Sequence, residues 1–128
     1  MGGKIYNLEN RTLQFSKRVL DMTKVLTKDS ANNNFIDQIV RSSSSVGANY
    51  REANDALGKK DFIHRTRIAR KEAKETTYWL ELIVHHNPSL EKRMQNLLIE
   101  SIEITKILSA IIKSSQENNK EKDKENNQ

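Results

Sequence analysis

The chain has no cysteine, a single proline, four glycines and one tryptophan among its 128 residues. Without thiols there is neither a disulfide framework nor a thiolate metal site, and a reducing, cytoplasmic setting is the expectation. Apolar runs extend over only a few residues, far short of the ~20 that span a bilayer. The opening MGGKIYNLEN holds no apolar stretch of signal-peptide length, so no membrane role is expected. No glycine-rich phosphate loop occurs and no cofactor is expected. Scarcity of proline and glycine removes the usual helix breakers, while Leu, Ile, Lys and Glu are plentiful.

What is present is helical periodicity. Leu8, Thr12, Phe15, Val19, Met22 and Leu26 step by four and three residues. The same stepping links Ile36, Ile39, Ser43, Val46, Tyr50, Ala53 and Leu57. A third series is Phe62, Thr66, Ala69, Ala73, Thr76, Leu80 and Ile83, and a fourth is Leu90, Met94, Leu97, Ser101, Ile104, Leu108 and Ile111. Steps of three and four keep residues on one side of a helix. Between the series lie a polar stretch, Asp29 to Asn34, predicted as a loop, then Gly58 as a C-cap glycine, Asp61 as an N-cap, and Asn87-Pro88-Ser89. Short connections make consecutive helices antiparallel. The pattern predicts an all-α fold, an antiparallel up-down-up-down four-helix bundle over residues 1–113. From Ser114 the chain reads SSQENNKEKDKENNQ, with no large apolar residue, and a disordered polar tail over 114–128 is expected.

Charge is concentrated. Between Lys59 and Lys74 lie Lys59, Lys60, Arg65, Arg67, Arg70, Lys71 and Lys74 against Asp61 and Glu72, a net +5 that equals the formal charge of the whole chain. Such focusing attracts polyanions, nucleic acid among them; the competing reading is a solvated helix face, and the sequence leaves both open. With Phe62 assigned to the core, no aromatic interleaves with these cations, so contacts would be to phosphates rather than to bases.

Other clusters carry little chemistry. Ser42 to Ser45 sit in no nucleophile elbow and have no matching His/Asp arrangement. His64, His85 and His86 lack the i, i+4 spacing of a helical zinc pair, and Glu72 and Glu75 lack the Glu-x-x-His of a di-iron bundle. No enzyme and no metal site is expected. A second stripe on the third helix, Ile68, Glu72, Glu75, Trp79 and Leu82, and spare apolar residues on the fourth, Leu98, Ile99, Ile102, Ile107 and Ile112, exceed one narrow seam and favour a homo-oligomer. The small-residue run from Arg41 to Tyr50 suits a close polar helix contact, with Glu72 and Glu75 as acceptors and Arg41 or Arg51 balancing charge.

The runs RSSSSVGANYREA (Arg41 to Ala53) and DFIHRTRIARKEAKETTYWLEL (Asp61 to Leu82) resemble the four-helix-bundle family named for 23S rRNA intervening sequences. Arg41, Ser42, Ser45, Asn49, Glu52, Asp61, Phe62, Ala69, Glu72, Glu75 and Leu80 carry the likeness. Ala-Asn-Tyr-Arg-Glu-Ala stands where Asn-Ile-Ala-Glu-Gly is commoner. The resemblance implies an up-down-up-down bundle assembled as a ring, a pentamer. The accessory proteins of diversity-generating retroelements are similar in fold and bind nucleic acid and a reverse transcriptase, an analogy of fold only.

The functional expectation is a non-enzymatic, ring-forming bundle that binds RNA or another nucleic acid. Lys59, Lys60, Arg65, Arg67, Arg70, Lys71 and Lys74 are the phosphate contacts, and Arg41, Ser42, Ser45, Asn49, Glu72, Glu75 and Trp79 serve subunit packing. The alternative is an adaptor for a protein partner without nucleic-acid binding.

Overall fold

The computed structural model describes residues 7–126, with side chains given except at 119–123 and 126. Four helices run in order: α1 (Leu8–Thr23), α2 (Ser30–Asn54), α3 (Lys59–His86) and α4 (Glu91–Asn126), with a 3₁₀ turn at Pro88–Leu90 before α4. They form an all-α four-helix bundle in which α2 packs on α3 and α3 on α4 over long stretches, while α1 and α4 share the shortest of the four seams. Among the described residues no helix is long and apolar enough to cross a membrane.

The stripes of α1 and of most of α2 and α3 form the core. Leu8, Phe15, Val19, Met22 and Leu26 are buried with Ile39, Val46, Tyr50, Ala69, Ala73, Leu80, Ile83, Met94, Leu97, Ile104 and Leu108. Ile36 and Leu90 are half-buried at the edge of the core, and three further stripe positions differ from expectation. Leu57 is fully exposed because α2 ends at Asn54 and leaves it in the connection to α3. Ile63 rather than Phe62 takes the buried place in the first turn of α3, with Phe62 half-buried beside it. Ile112, expected as spare surface, is buried, and Ile111 is half-buried. With Ile112 and the half-buried Leu98 and Ile107 withdrawn, the exposed isoleucines of α4 are Ile99 and Ile102.

The junctions also differ in detail. Asp29 to Asn34 is a helix start rather than a loop: the Asp29 carboxylate accepts from the Asn32 N–H at 2.7 Å and caps α2. Asn32 is itself fully buried, donating to the Thr27 carbonyl at 2.8 Å and forming a reciprocal amide pair with Asn87 at 2.9 and 3.0 Å. That pair ties the α1–α2 connection to the C-terminus of α3. Gly58 is extended, φ −152°, and is the N-cap of α3, not the C-cap of α2. Asp61 therefore lies in the first turn, where a carboxylate complements the helix dipole, 3.8 Å from Arg65. Gly47 has a steric reason to be glycine. A Cβ there would meet Thr12 Oγ1 at 2.9 Å, where α1 and α2 come together and Ser16 Oγ donates to the Ser43 carbonyl at 3.0 Å.

The last helix continues through Asn126, so residues 114–126 are helical where a disordered tail was expected. Nothing in SSQENNKEKDKEN breaks a helix, and past Ile112 no large apolar side chain anchors it to the bundle. Its helicity there rests on propensity alone, which is marginal for so short a segment.

Candidate nucleic-acid interface on the third helix

α3 presents two flanks of opposite character. The flank toward α2 gathers most residues expected at a subunit contact and partners them within the chain. Arg41 bridges Glu72, at 3.1 Å, and Glu75. Trp79 Nε1 donates to the Glu75 carboxylate at 3.3 Å, and the Trp79 ring lies 6.3 Å from Phe35. Ser42 is fully buried, accepting from Thr76 Oγ1 at 2.9 Å. Ser45 Oγ donates to the Arg41 carbonyl at 2.8 Å, and the Asn49 amide to the Ser45 carbonyl at 2.9 Å. Ser44 Oγ likewise turns to the Val40 carbonyl at 2.7 Å. The serine run is thus held largely by its own helix backbone, as hydroxyls in helices often are.

His86 closes this flank at the end of the bundle. Its Nε2 lies 3.0 Å from Asp29, and its ring meets Phe35 edge to face at 5.9 Å. The Asp29 carboxyl is held below its ordinary value, first by the Asn32 N–H and then by His86. Across the bundle, Arg11 of α1 grips Glu100 of α4 with two hydrogen bonds of 2.7 Å, which push the guanidinium above its usual value.

The outward flank of α3 carries cations without acidic partners among the described residues. The seven cations of the segment do not share one face. At ~100° per residue, Lys60, Arg67, Lys71 and Lys74 fall on a single exposed stripe. None of these four has a carboxylate within 4 Å among the described residues. Lys59, also exposed, sits at the first residue of the helix. Arg65 turns to Asp61, and the half-buried Arg70 reaches Ser109 of α4 at 3.5 Å. Stripe residues are separated from the others by helical angle, and that is readable in the sequence.

Two further features join the stripe that sequence reasoning passed over. Tyr78, one turn beyond Lys74, is 56% exposed. Lys106 of α4 stands across a groove from Lys74, with Thr77, Ile102 and Thr105 between them. The position of Tyr78 follows from the same three- and four-residue stepping. That of Lys106 depends on how α4 packs on α3, which spacing does not give.

The family described as 23S rRNA-intervening sequence protein matches residues 6–110. Among solved structures, a protein with unknown function from the S23 ribosomal protein family of Bacteroides thetaiotaomicron is 37% identical, covers 82% of this chain and 97% of its own, and superposes with a TM-score of 0.73. No curated protein gives a significant match. Neither description names a catalytic activity. The chain belongs to the 23S rRNA-intervening sequence protein family.

Proposed function

We propose that this protein is a non-enzymatic RNA-binding bundle that assembles as a pentameric ring and takes phosphates on the outward flank of α3. The observation that carries the reading is the stripe of Lys60, Arg67, Lys71 and Lys74, four exposed cations without an acidic partner among the described residues. An intramolecular role would show as ion pairs, as it does for Arg41 and Arg11 on the other seams. Unpaired cations in a row instead raise the local potential and release counterions when phosphates arrive. Lys59, Arg65 and Arg70 contribute to the field from the edges.

Four phosphate contacts give a log–log salt slope of about −3 on a single strand and about −3.6 on a duplex, so a fourfold rise in salt weakens binding about 50- to 150-fold. The test is fluorescence anisotropy of a labelled structured RNA at two salt concentrations about fourfold apart. Binding at low salt with a loss of that order supports the reading. Little binding at either salt overturns it.

Self-association is supported by exposed Leu13 and Leu20 on α1, 38% and 45% exposed, one face of which borders a groove of about 280 Å³ over Gly47 and Ala48. That surface is better placed for a subunit contact than Arg41, Ser42, Glu72, Glu75 and Trp79, which already satisfy one another within the protomer. The same apolar surface is the observation that favours the second reading, an adaptor for a protein partner. Sedimentation of Leu13→Glu/Leu20→Glu separates the two. A fall to monomer supports the ring, and an unchanged assembly leaves the face to a partner.

A further inference from the structure

The basic stripe does not end on a cation. Lys60, Arg67, Lys71 and Lys74 are followed at the same angular position by Tyr78, more than half exposed. Tyrosine in a bundle of this size is ordinarily turned inward or used at a contact. The ring is nonetheless braced: it packs against Trp79 with centroids 5.3 Å apart and planes at 71°. Trp79 in turn is held by Glu75 and Phe35. A fixed, exposed aromatic in line with unpaired ammonium groups has little to do in the fold of the protomer.

On the α4 side of Lys74, one helical turn before Tyr78, runs a groove of about 200 Å³ lined by Lys74, Thr77, Ile102, Thr105 and Lys106. Both threonine hydroxyls are engaged with the helices: Thr77 Oγ1 donates to the Ala73 carbonyl at 3.1 Å and also pairs with Ser101 Oγ, and Thr105 Oγ1 donates to the Ser101 carbonyl at 2.9 Å. With those hydroxyls occupied, the groove is left with methyl groups and Ile102 as its floor. Two ammonium groups stand at its edges, Lys106 weakly shared with Glu103 at 3.9 Å. An apolar floor and cationic edges, with an exposed aromatic one helical turn from Lys74, form a surface that suits flat apolar rings carrying phosphates.

We infer that this flank binds unpaired nucleotides, one base stacked on Tyr78 and a neighbouring base over Ile102, with their phosphates on Lys71, Lys74 and Lys106. The inference rests on the nucleic-acid reading above and narrows its ligand to single-stranded RNA. Bases in a duplex are stacked on each other and offer no free face, so a duplex gains the charge interaction alone. A free base gains the aromatic face as well, which is commonly worth about fivefold to a hundredfold in affinity.

The experiment compares two labelled RNAs of equal length, an unpaired pyrimidine-rich strand and a blunt-ended duplex, by anisotropy at one salt concentration. The proteins are the full chain and its Tyr78→Ala, Tyr78→Phe and Lys71→Gln/Lys74→Gln variants. The expected result is that the full chain prefers the unpaired strand. Tyr78→Ala weakens that strand about tenfold and the duplex less than twofold, and Tyr78→Phe binds as the parent does. Equal affinity of the parent for both RNAs, or a Tyr78→Ala loss that is absent or shared by both, overturns the inference. In those cases the charge-based reading stands if Lys71→Gln/Lys74→Gln still weakens both RNAs, and falls if it does not. Tighter capture of the parent on vesicles of anionic phospholipid than on the unpaired strand, at the same salt, also overturns it.

Discussion

The two flanks of α3 belong to one helix and carry similar residue types, yet they are used in opposite ways. Toward α2, charge is consumed: one arginine answers two glutamates, a tryptophan donates to one of them, and a buried serine and threonine satisfy each other. On the outward flank, four cations stand without acidic partners among the described residues, and a tyrosine lies open one turn beyond Lys74, which lines an apolar groove. Partnered polar groups hold a helix in register, whereas unpartnered ones keep their interaction energy for something outside the protomer. The lesson is that charge count alone, which is richest in this segment, says less than where each charge is spent.

That contrast can be broken in several places. The largest effect is expected from reversing the outward stripe, Lys60→Glu/Arg67→Glu/Lys71→Glu/Lys74→Glu. RNA affinity should fall by at least about 100-fold, because each attraction becomes a repulsion. The urea unfolding free energy should change by less than about 0.5 kcal/mol, since these are surface sites without partners. On the inner flank the ranking inverts. Trp79→Ala should cost about 2 kcal/mol of unfolding free energy, less than the ~3–5 kcal/mol of a fully buried aromatic because Trp79 is half-buried. RNA affinity of that variant should fall less than that of Tyr78→Ala, as Trp79 braces the platform without being it.

A smaller effect is expected away from α3. Gly47→Ala places a methyl against Thr12, an overpacking cost of about 1–3 kcal/mol offset by about 1 kcal/mol of helix propensity. Denaturant unfolding should therefore show a net loss of about 1 kcal/mol, and a variant more stable than the parent would contradict the close α1–α2 contact. The smallest effect concerns pH. The folded-state value of Asp29 lies below its ordinary 3.8, so its contribution is full above that value and is lost as pH falls through the lower one. Thermal unfolding of the parent should weaken across that acid window. Asp29→Asn, which keeps an acceptor for the Asn32 N–H but not the charge, should show a flatter acid limb.

Much of this was legible in the sequence. The α1 series from Leu8 to Leu26 is buried throughout, because an uninterrupted three-and-four stepping leaves one choice of face. Phe62 and Ile63 show the limit: two adjacent apolar residues in a first turn are about 100° apart, and only packing decides which turns inward. Asp29 to Asn34 read as a loop because asparagine is a poor helix filler, yet Asn32 is held by Asn87, 55 residues away, a partner no local pattern reveals. At the site, the seven cations were visible as a charge count, and their division was there to be read. Helical angle alone would have set Lys60, Arg67, Lys71, Lys74 and Tyr78 apart from Arg65 and Arg70. Lys106 and Ile102 were beyond reach, since they join the stripe only through the packing of α4 on α3.

The most direct measurement sets the two flanks against each other. RNA affinity and the urea unfolding midpoint are recorded in parallel for Lys60→Gln/Arg67→Gln/Lys71→Gln/Lys74→Gln and for Arg41→Gln/Glu72→Gln/Glu75→Gln. The account predicts a crossed result: the first variant loses RNA affinity by about 50-fold or more at an unchanged midpoint, and the second unfolds at lower urea while its folded form binds RNA within about twofold of the parent. Equal loss of affinity in both variants, or none in the first, would contradict the assignment of one flank to the fold and the other to the ligand.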